Sequence, residues 1–210
     1  MSFAEKVRRV RKTEGIAGVA RHALCKIRSI LFEWNSAFWY ERDVRKPCDE
    51  ALIPGLQVTF DGTESTLNWI VNLGQEYMVH PDEVAVAQTE RHLFGAARAH
   101  GEMVGYVKVG FGRVFVQDFG KAVRFPNDVA FIYDTFVLPS KRGQGIAGGM
   151  IRAAVQELQQ RGFVGIRCHI PRWNRASMHA FEKCGFKRRK HIQYTRIFGV
   201  RLFSFNPEKL

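Results

Sequence analysis

Cysteine is scarce and scattered. The 210-residue chain has four, Cys25, Cys48, Cys168 and Cys184. None forms a CxxC pair or has a histidine at ligand spacing. That argues against a metal site or a disulfide framework and leaves buried or half-exposed thiols. No apolar run reaches the eighteen or more residues of a membrane span. The N-terminus is basic but lacks a continuous apolar stretch with a small-residue cleavage site, so no secretory signal is read and a cytoplasmic location is expected. Internal repeats and low-complexity tracts are also missing. Acidic side chains thin out towards the end: residues 141–210 hold three Asp/Glu against fifteen Lys/Arg.

What is present suits one globular core with an appendage. Hydrophobic residues make up 46% and charged residues 25%, with a net charge of +12. The charge is uneven. Residues 1–46 carry eleven Lys/Arg against five Asp/Glu, and residues 47–140 carry six against twelve. Two basic ends around an acidic middle suit anionic partners at two places and a cationic one at the third. Nucleic acid and a polyphosphate cofactor are both candidates for the anion.

Residues 2–46 read as helical. Ile16, Val19, Ala20, Ala23, Leu24, Ile27, Ile30 and Leu31 recur at three- and four-residue steps, ahead of the aromatic cluster FEWNSAFWY (32–40). Residues 1–50 are therefore expected to be a basic, amphipathic helical extension, with RKPCDEALIPGL (45–56) as linker. Its apolar stripe needs cover, from its own domain or a second copy in a homodimer, from peripheral contact with an anionic membrane, or from contact with nucleic acid.

The domain at 51–210 follows. LQVTF (56–60) alternates like a strand. Helices are expected over 63–74 and over 82–94 behind Pro81. A hairpin is expected around His100-Gly101 and a hairpin extension over 112–126. DVAFIYDTFV (128–137) reads as a central strand. Then come a glycine-rich turn, a helix (148–162), a strand (163–170), a helix capped by Asn174 and ended by Gly185, and strand over 190–205.

The turn VLPSKRGQGIA (137–147) leads from an apolar strand into a helix. A helix start offers unpaired N–H groups at the positive end of the helix dipole. Gly143, Gly145, Gly148 and Gly149 allow the backbone to close round an anion, with phosphate the usual guest. Neither G-x-x-x-x-G-K-[ST] nor G-x-G-x-x-G with a later acid is matched.

These residues resemble the acyl-CoA-binding signature R/Q-x-x-G-x-G/A of the GNAT superfamily of N-acetyltransferases, through Arg142, Gly145 and Ala147. NRASMHAFEKCGF (174–186) is similar to that family's second signature, an Asn-led helix ending in Gly-Phe, through Asn174, Ser177, Phe181, Gly185 and Phe186. The resemblance covers roughly 56–205. It implies an α/β fold of α+β type, with a mixed sheet, a splayed central strand pair and flanking helices. It further implies coenzyme A pyrophosphate on the backbone of Arg142, Gly143, Gln144, Gly145, Ile146 and Ala147. The pantetheine arm would lie on Phe136, Val137 and Leu138, with Asn174, Ser177 and Phe181 beside it. An N–H near Val137 would polarise the thioester carbonyl as charge develops there. Acetyl-CoA is thus the expected cosubstrate, an amine the acceptor, and no metal is expected. Where family members often carry a Tyr as general acid, this chain has Phe181; a thiol of pKa roughly 8.5 leaves without one.

Two residues are candidates for the proton-transfer work. His169 lies on the face of its strand opposite Ile166, Cys168 and Ile170, and some family members carry the catalytic carboxylate at this position, five before the Asn. It is either the base or a hydrogen-bonded, half-buried histidine. Asp134, the one acid in an apolar strand, either holds the acceptor or ties down neighbouring loops. Tyr133 is expected to face the other way and pack; Asp82 and Glu83 are either helix-start charges, the simpler reading, or acids near where the resemblance places the acceptor loops. An amine N-acetyltransferase is the leading reading. A catalytically silent acyl-CoA-binding module and a nucleic-acid-binding protein are the alternatives, the last without a binding motif.

Overall fold

The computed structural model describes residues 32–47, 53–60, 63–72, 81–198 and 200–204. The helix expected before residue 32 lies outside them. In chain order the elements are β1 (Phe32–Asp43), β2 (Leu56–Thr59), α1 (Thr63–Asn72), α2 (Pro81–Thr89), β3 (Leu93–Ala99), β4 (Glu102–Gly110), β5 (Arg113–Val116), β6 (Lys121–Arg124), β7 (Val129–Val137), α3 (Ile146–Gln160), β8 (Gly165–Pro171), α4 (Arg175–Lys183), β9 (Lys187–Ile197) and β10 (Val200–Phe203). Of these residues, 32–36 and those from 193 onward fall in a smaller unit, and 37–192 in a larger one.

The sheet of the larger unit runs β9-β1-β8-β7-β4-β3-β2. β1 is the main departure from expectation. The aromatic cluster at 32–40 is a strand and not the end of a helix, and Ala37, Trp39 and Tyr40 are buried in it. Aromatic residues suit a pleated surface flanked by neighbours on both sides better than an isolated helix. β1 pairs antiparallel with β8, from Ala37 opposite Pro171 to Asp43 opposite Gly165. The helix expected over 82–94 ends at Thr89, because Arg91 takes a left-handed φ of 56° and Leu93 and Phe94 begin β3. The strand expected over 190–205 is a hairpin: in the smaller unit β9 pairs antiparallel with β10, Ile197 opposite Val200.

Strand alternation sorts the core of the larger unit. Ala130 and Ile132 of β7, and Ile166, Cys168 and Ile170 of β8, share a cluster with Met150, Ile151, Val155 and Leu158 of α3 and Phe181 of α4. Phe131 of β7 turns the other way and stacks on Trp39 and Phe125, with centroids 5.4 and 4.7 Å away. On that side Trp69 of α1 meets Tyr106 and Phe136 edge-on.

Candidate active site

β7 and β8 pair in parallel only from Val129/Gly165 to Ile132/Cys168, and then part. The cause is local. Lys108 of β4 stands opposite Asp134 while Val109 stands opposite Ile132, so Tyr133 is an extra residue, a β-bulge that bends β7. β8 meanwhile stays fully paired to β1 on its other edge. Beyond the bulge, Leu138 N–H bonds the Val104 carbonyl at 2.9 Å. Strand alternation therefore turns the amides of Thr135 and Val137 away from β4, towards the side β8 has left.

A cavity of about 320 Å³ opens where the strands part. Both proton-transfer candidates line it, Asp134 from β7 and His169 from β8, as do Asn174, Ser177 and Phe181 from α4 and its cap. His169 is nearly buried and donates from Nε2 to Asp118 Oδ2 at 2.7 Å. With Nε2 the proton-bearing nitrogen, a neutral ring keeps a lone pair on Nδ1, a buried atom with no hydrogen-bond partner among the described residues. The ring lies flat against Phe131, 5.9 Å between centroids, and tilts against Phe119 at 5.5 Å. Asp118 reaches it from the turn joining β5 to β6, the hairpin expected over 112–126.

Asp134 accepts from Tyr106 Oη at 2.9 Å and lies 3.3 Å from Lys108 Nζ. Lys108 is out of water and also meets Glu83 Oε1 at 2.7 Å, while Gln117 Nε2 donates to Glu83 Oε2 at 2.8 Å. Glu83 is thus a buried wall of the cavity and not an ordinary helix-start charge. Burial pushes its pKa up, more than the attraction of Lys108 pulls it down. Tyr133 also departs from expectation. The bulge puts it on the same face as Asp134, where it lines the cavity and touches His92 and Phe94. Burial raises the Tyr133 pKa well above the usual phenol value and lowers that of His92. His92 gives its Nε2 proton to the carbonyls of Arg113 and Phe111, at 2.9 and 3.2 Å. Sequence reasoning missed Asp118, Gln117, Tyr106 and Lys108.

The glycine turn does two jobs. Gly143 and Gly145 take left-handed φ of 80° and 77°, Gly145 being the N-cap of α3. This leaves the first amides of α3 without intrahelical acceptors, as an anion cradle requires. Gly148 and Gly149 serve packing instead. A Cβ on Gly149 would lie 2.4 Å from Leu56 Cδ2, and one on Gly148 would lie 3.3 Å from the Arg152 guanidinium. Arg142 lies back along the strand, its Nε donating to the Val137 carbonyl at 3.2 Å and its guanidinium over the Phe136 ring. Asn174 caps α4 by accepting from Ser177 N at 3.1 Å. Phe181 packs edge-on against Phe186 at 4.9 Å.

Residues 63–186 match the model of the acetyltransferase (GNAT) family. The chain belongs to this family. No curated protein sequence matches the chain. Among solved structures, a GCN5-related N-acetyltransferase from Sphaerobacter thermophilus is similar at 14% identity and a TM-score of 0.57, over 87% of this chain and 58% of that one. A GNAT-family acetyltransferase from Colwellia psychrerythraea is similar at 18% identity and a TM-score of 0.54, over 91% and 63%. At such identities the likeness is one of fold, a mixed sheet flanked by helices. The chain spans about six-tenths of the length of these structures.

Proposed function

We propose that this GNAT chain is an N-acetyltransferase that passes an acetyl or other short acyl group from acyl-CoA to an amine by direct attack. The observation that carries this reading is the meeting of His169, held by Asp118, and Asp134 across the cavity between the parting strands. The residues suit the cosubstrate. The amides of Thr135 and Val137 offer an extended arm a strand-like partner, and the start of α3, with Arg142 beside it, offers N–H groups to a pyrophosphate. Acyl-CoA supplies an activated carbonyl and a thiolate that leaves readily.

The chain's own part is to attract, orient and deprotonate the acceptor. Glu83, Asp118 and Asp134 line the cavity, and Lys108 pairs with two of these three carboxylates. The surplus of negative charge draws a protonated amine. Asp134, fixed by Tyr106 and Lys108, orients it. His169 serves as the base, directly or through a water, and Asp118 steadies the resulting imidazolium through Nε2. The Val137 N–H faces the side where the carbonyl oxygen gains charge. Phe181 gives no proton, and a thiol with a pKa of roughly 8.5 needs none.

The test is thiol release from acetyl-CoA across a library of amines, with His169→Ala and Asp134→Asn in parallel and a pH–rate profile for each. Turnover with at least one amine, and loss of the acidic limb in one variant, are expected. A chain that only bound acyl-CoA would release no thiol with any amine. Wild-type rates and limbs in both variants would remove the proposed base.

A further inference from the structure

We propose that Tyr133 and Gln117 set the acceptor specificity of the cavity, selecting a primary alkylammonium whose body is apolar and carries no second charge. This rests on the acyl-transfer reading and says which amine that site takes. Hydrogen bonding within the walls carries it. Gln117 directs its Nε2 to Glu83, so its carbonyl oxygen turns the other way and has no partner among the described residues. His92 gives its Nε2 proton to two backbone carbonyls, so its Nδ1 accepts, and the Tyr133 hydroxyl lies 3.5 Å from it. The Tyr133 oxygen keeps lone pairs for another donor. Asp134 meets Tyr106 and Lys108 through Oδ2 alone, which leaves Oδ1 without a partner among the described residues.

These three oxygens belong to one cavity wall. Gln117, Glu83, Lys108 and Asp134 follow one another contact to contact. Tyr133 lies beside them: after burial, the charges of Glu83 and Asp134 do most to raise its pKa. An alkylammonium has three N–H donors, one for each oxygen. His169 is an independent sign of a ligand. Its side chain is more than nine-tenths buried, yet it lines the same cavity with an Nδ1 unpartnered among the described residues. A buried polar atom in that state is satisfied by a bound molecule or a water.

Charge and shape restrict the rest of the acceptor. Both Glu83 oxygens accept, as those of a carboxylate do, from Lys108 and Gln117. Glu83 and Asp134 then share one ammonium, and a single added cation balances the set. Asp118 is engaged with His169. No Lys or Arg is among the described residues lining the cavity, so an acceptor's own carboxylate or phosphate would face carboxylates there. Phe115 and Val116, on the strand that leads to Gln117, line the cavity as a wall for carbon and not for a second charge.

The experiment gives the full chain four amines of similar length: butylamine, N-methylbutylamine, putrescine and γ-aminobutyrate. Thiol release from acetyl-CoA yields kcat/KM, and calorimetry with the CoA-bound chain yields affinity without turnover. Butylamine should lead by roughly tenfold or more, since each competitor lacks a donor or adds a charge. Tyr133→Phe and Gln117→Leu should each raise the butylamine KM roughly tenfold and leave the acetyl-CoA KM in place. Both should also narrow the lead over N-methylbutylamine, whereas a merely structural role would slow all four amines alike. The proposal fails if putrescine or γ-aminobutyrate equals butylamine, or if both variants keep every ratio. Butylamine that binds through Tyr133 and Gln117 while no amine releases thiol would overturn the acyl-transfer reading and leave this site standing. Neither binding nor release with any of the four would overturn both.

Discussion

The Lys108 ammonium meets the Glu83 carboxylate at 2.7 Å with both side chains out of water, tying α2 to the middle of β4. Removing one member leaves the other's charge buried without its partner. Lys108→Met should therefore destabilise the protein by about 3–5 kcal/mol, and adding Glu83→Gln should restore a good part of that. Urea unfolding of the single and double variants measures both. A double-variant loss equal to the sum of the two single losses would mean that the two groups do not act as a pair.

Glu83 also sets a pH dependence. Its folded pKa is raised above the ordinary 4.5, chiefly by burial. The folded state thus holds this proton more tightly than the unfolded chain, and stability falls as pH rises from about 4.5 towards the folded value. Glu83→Gln should lack this slope. His92 works in the opposite sense: burial lowers its pKa from 6.5, so stability falls as pH drops below 6.5 towards the folded value. Subtracting the Glu83→Gln curve from the parent curve isolates the first effect. A flat difference would contradict it.

Asp118 positions the ring of His169 and does not itself meet the acceptor in the proposed reaction. Asp118→Asn keeps an acceptor for Nε2–H but loses the charge that steadies an imidazolium. The expected loss in kcat is about ten- to a hundredfold, below the roughly 10²–10⁴-fold expected of the base itself. KM for acetyl-CoA should hardly move. A change confined to KM would place Asp118 in binding instead.

Two glycines of the larger unit should respond differently to alanine. At Gly105 the new Cβ would lie 2.4 Å from the Phe136 carbonyl oxygen, part of the backbone of β7. The strands would have to separate beside the open edge, at roughly 1–3 kcal/mol or more. At Gly149 the near atom is the tip of the Leu56 side chain, which can rotate. Gly149→Ala should cost less than Gly105→Ala by chemical denaturation, and the reverse order would disprove the assignment.

Much of the domain was legible because its signals are local. The apolar run of β7, the Asn174 cap of α4 and the turn glycines each act within a few residues, and each element forms where expected. Asp134 shows in the sequence as the one acid of an apolar strand, and His169 through its strand face and its position five before Asn174, which the family resemblance marks. Lys108 carries a similar signal, a charge within the apolar run YVKVG. Asp118 carried none, since an Asp at a hairpin turn needs no explanation beyond the turn. Tyr133 faces opposite to what alternation alone implies, because one bulged residue reverses every face beyond it. β1 is not legible locally, because only a partner far along the chain makes it a strand.

That distant partner governs how the molecule is made. Residues 37–43 find their place beside β8, whose last residue is Pro171, so this strand must wait while more than a hundred further residues leave the ribosome. Until then Trp39 and Tyr40 lie in unpaired, apolar chain, and pairing over so long a loop is slow. Chains halted before residue 171 would carry that apolar segment without its partner and be prone to clumping. Synthesis speed and chaperone access thus bear on the yield of this protein more than its compact native sheet suggests.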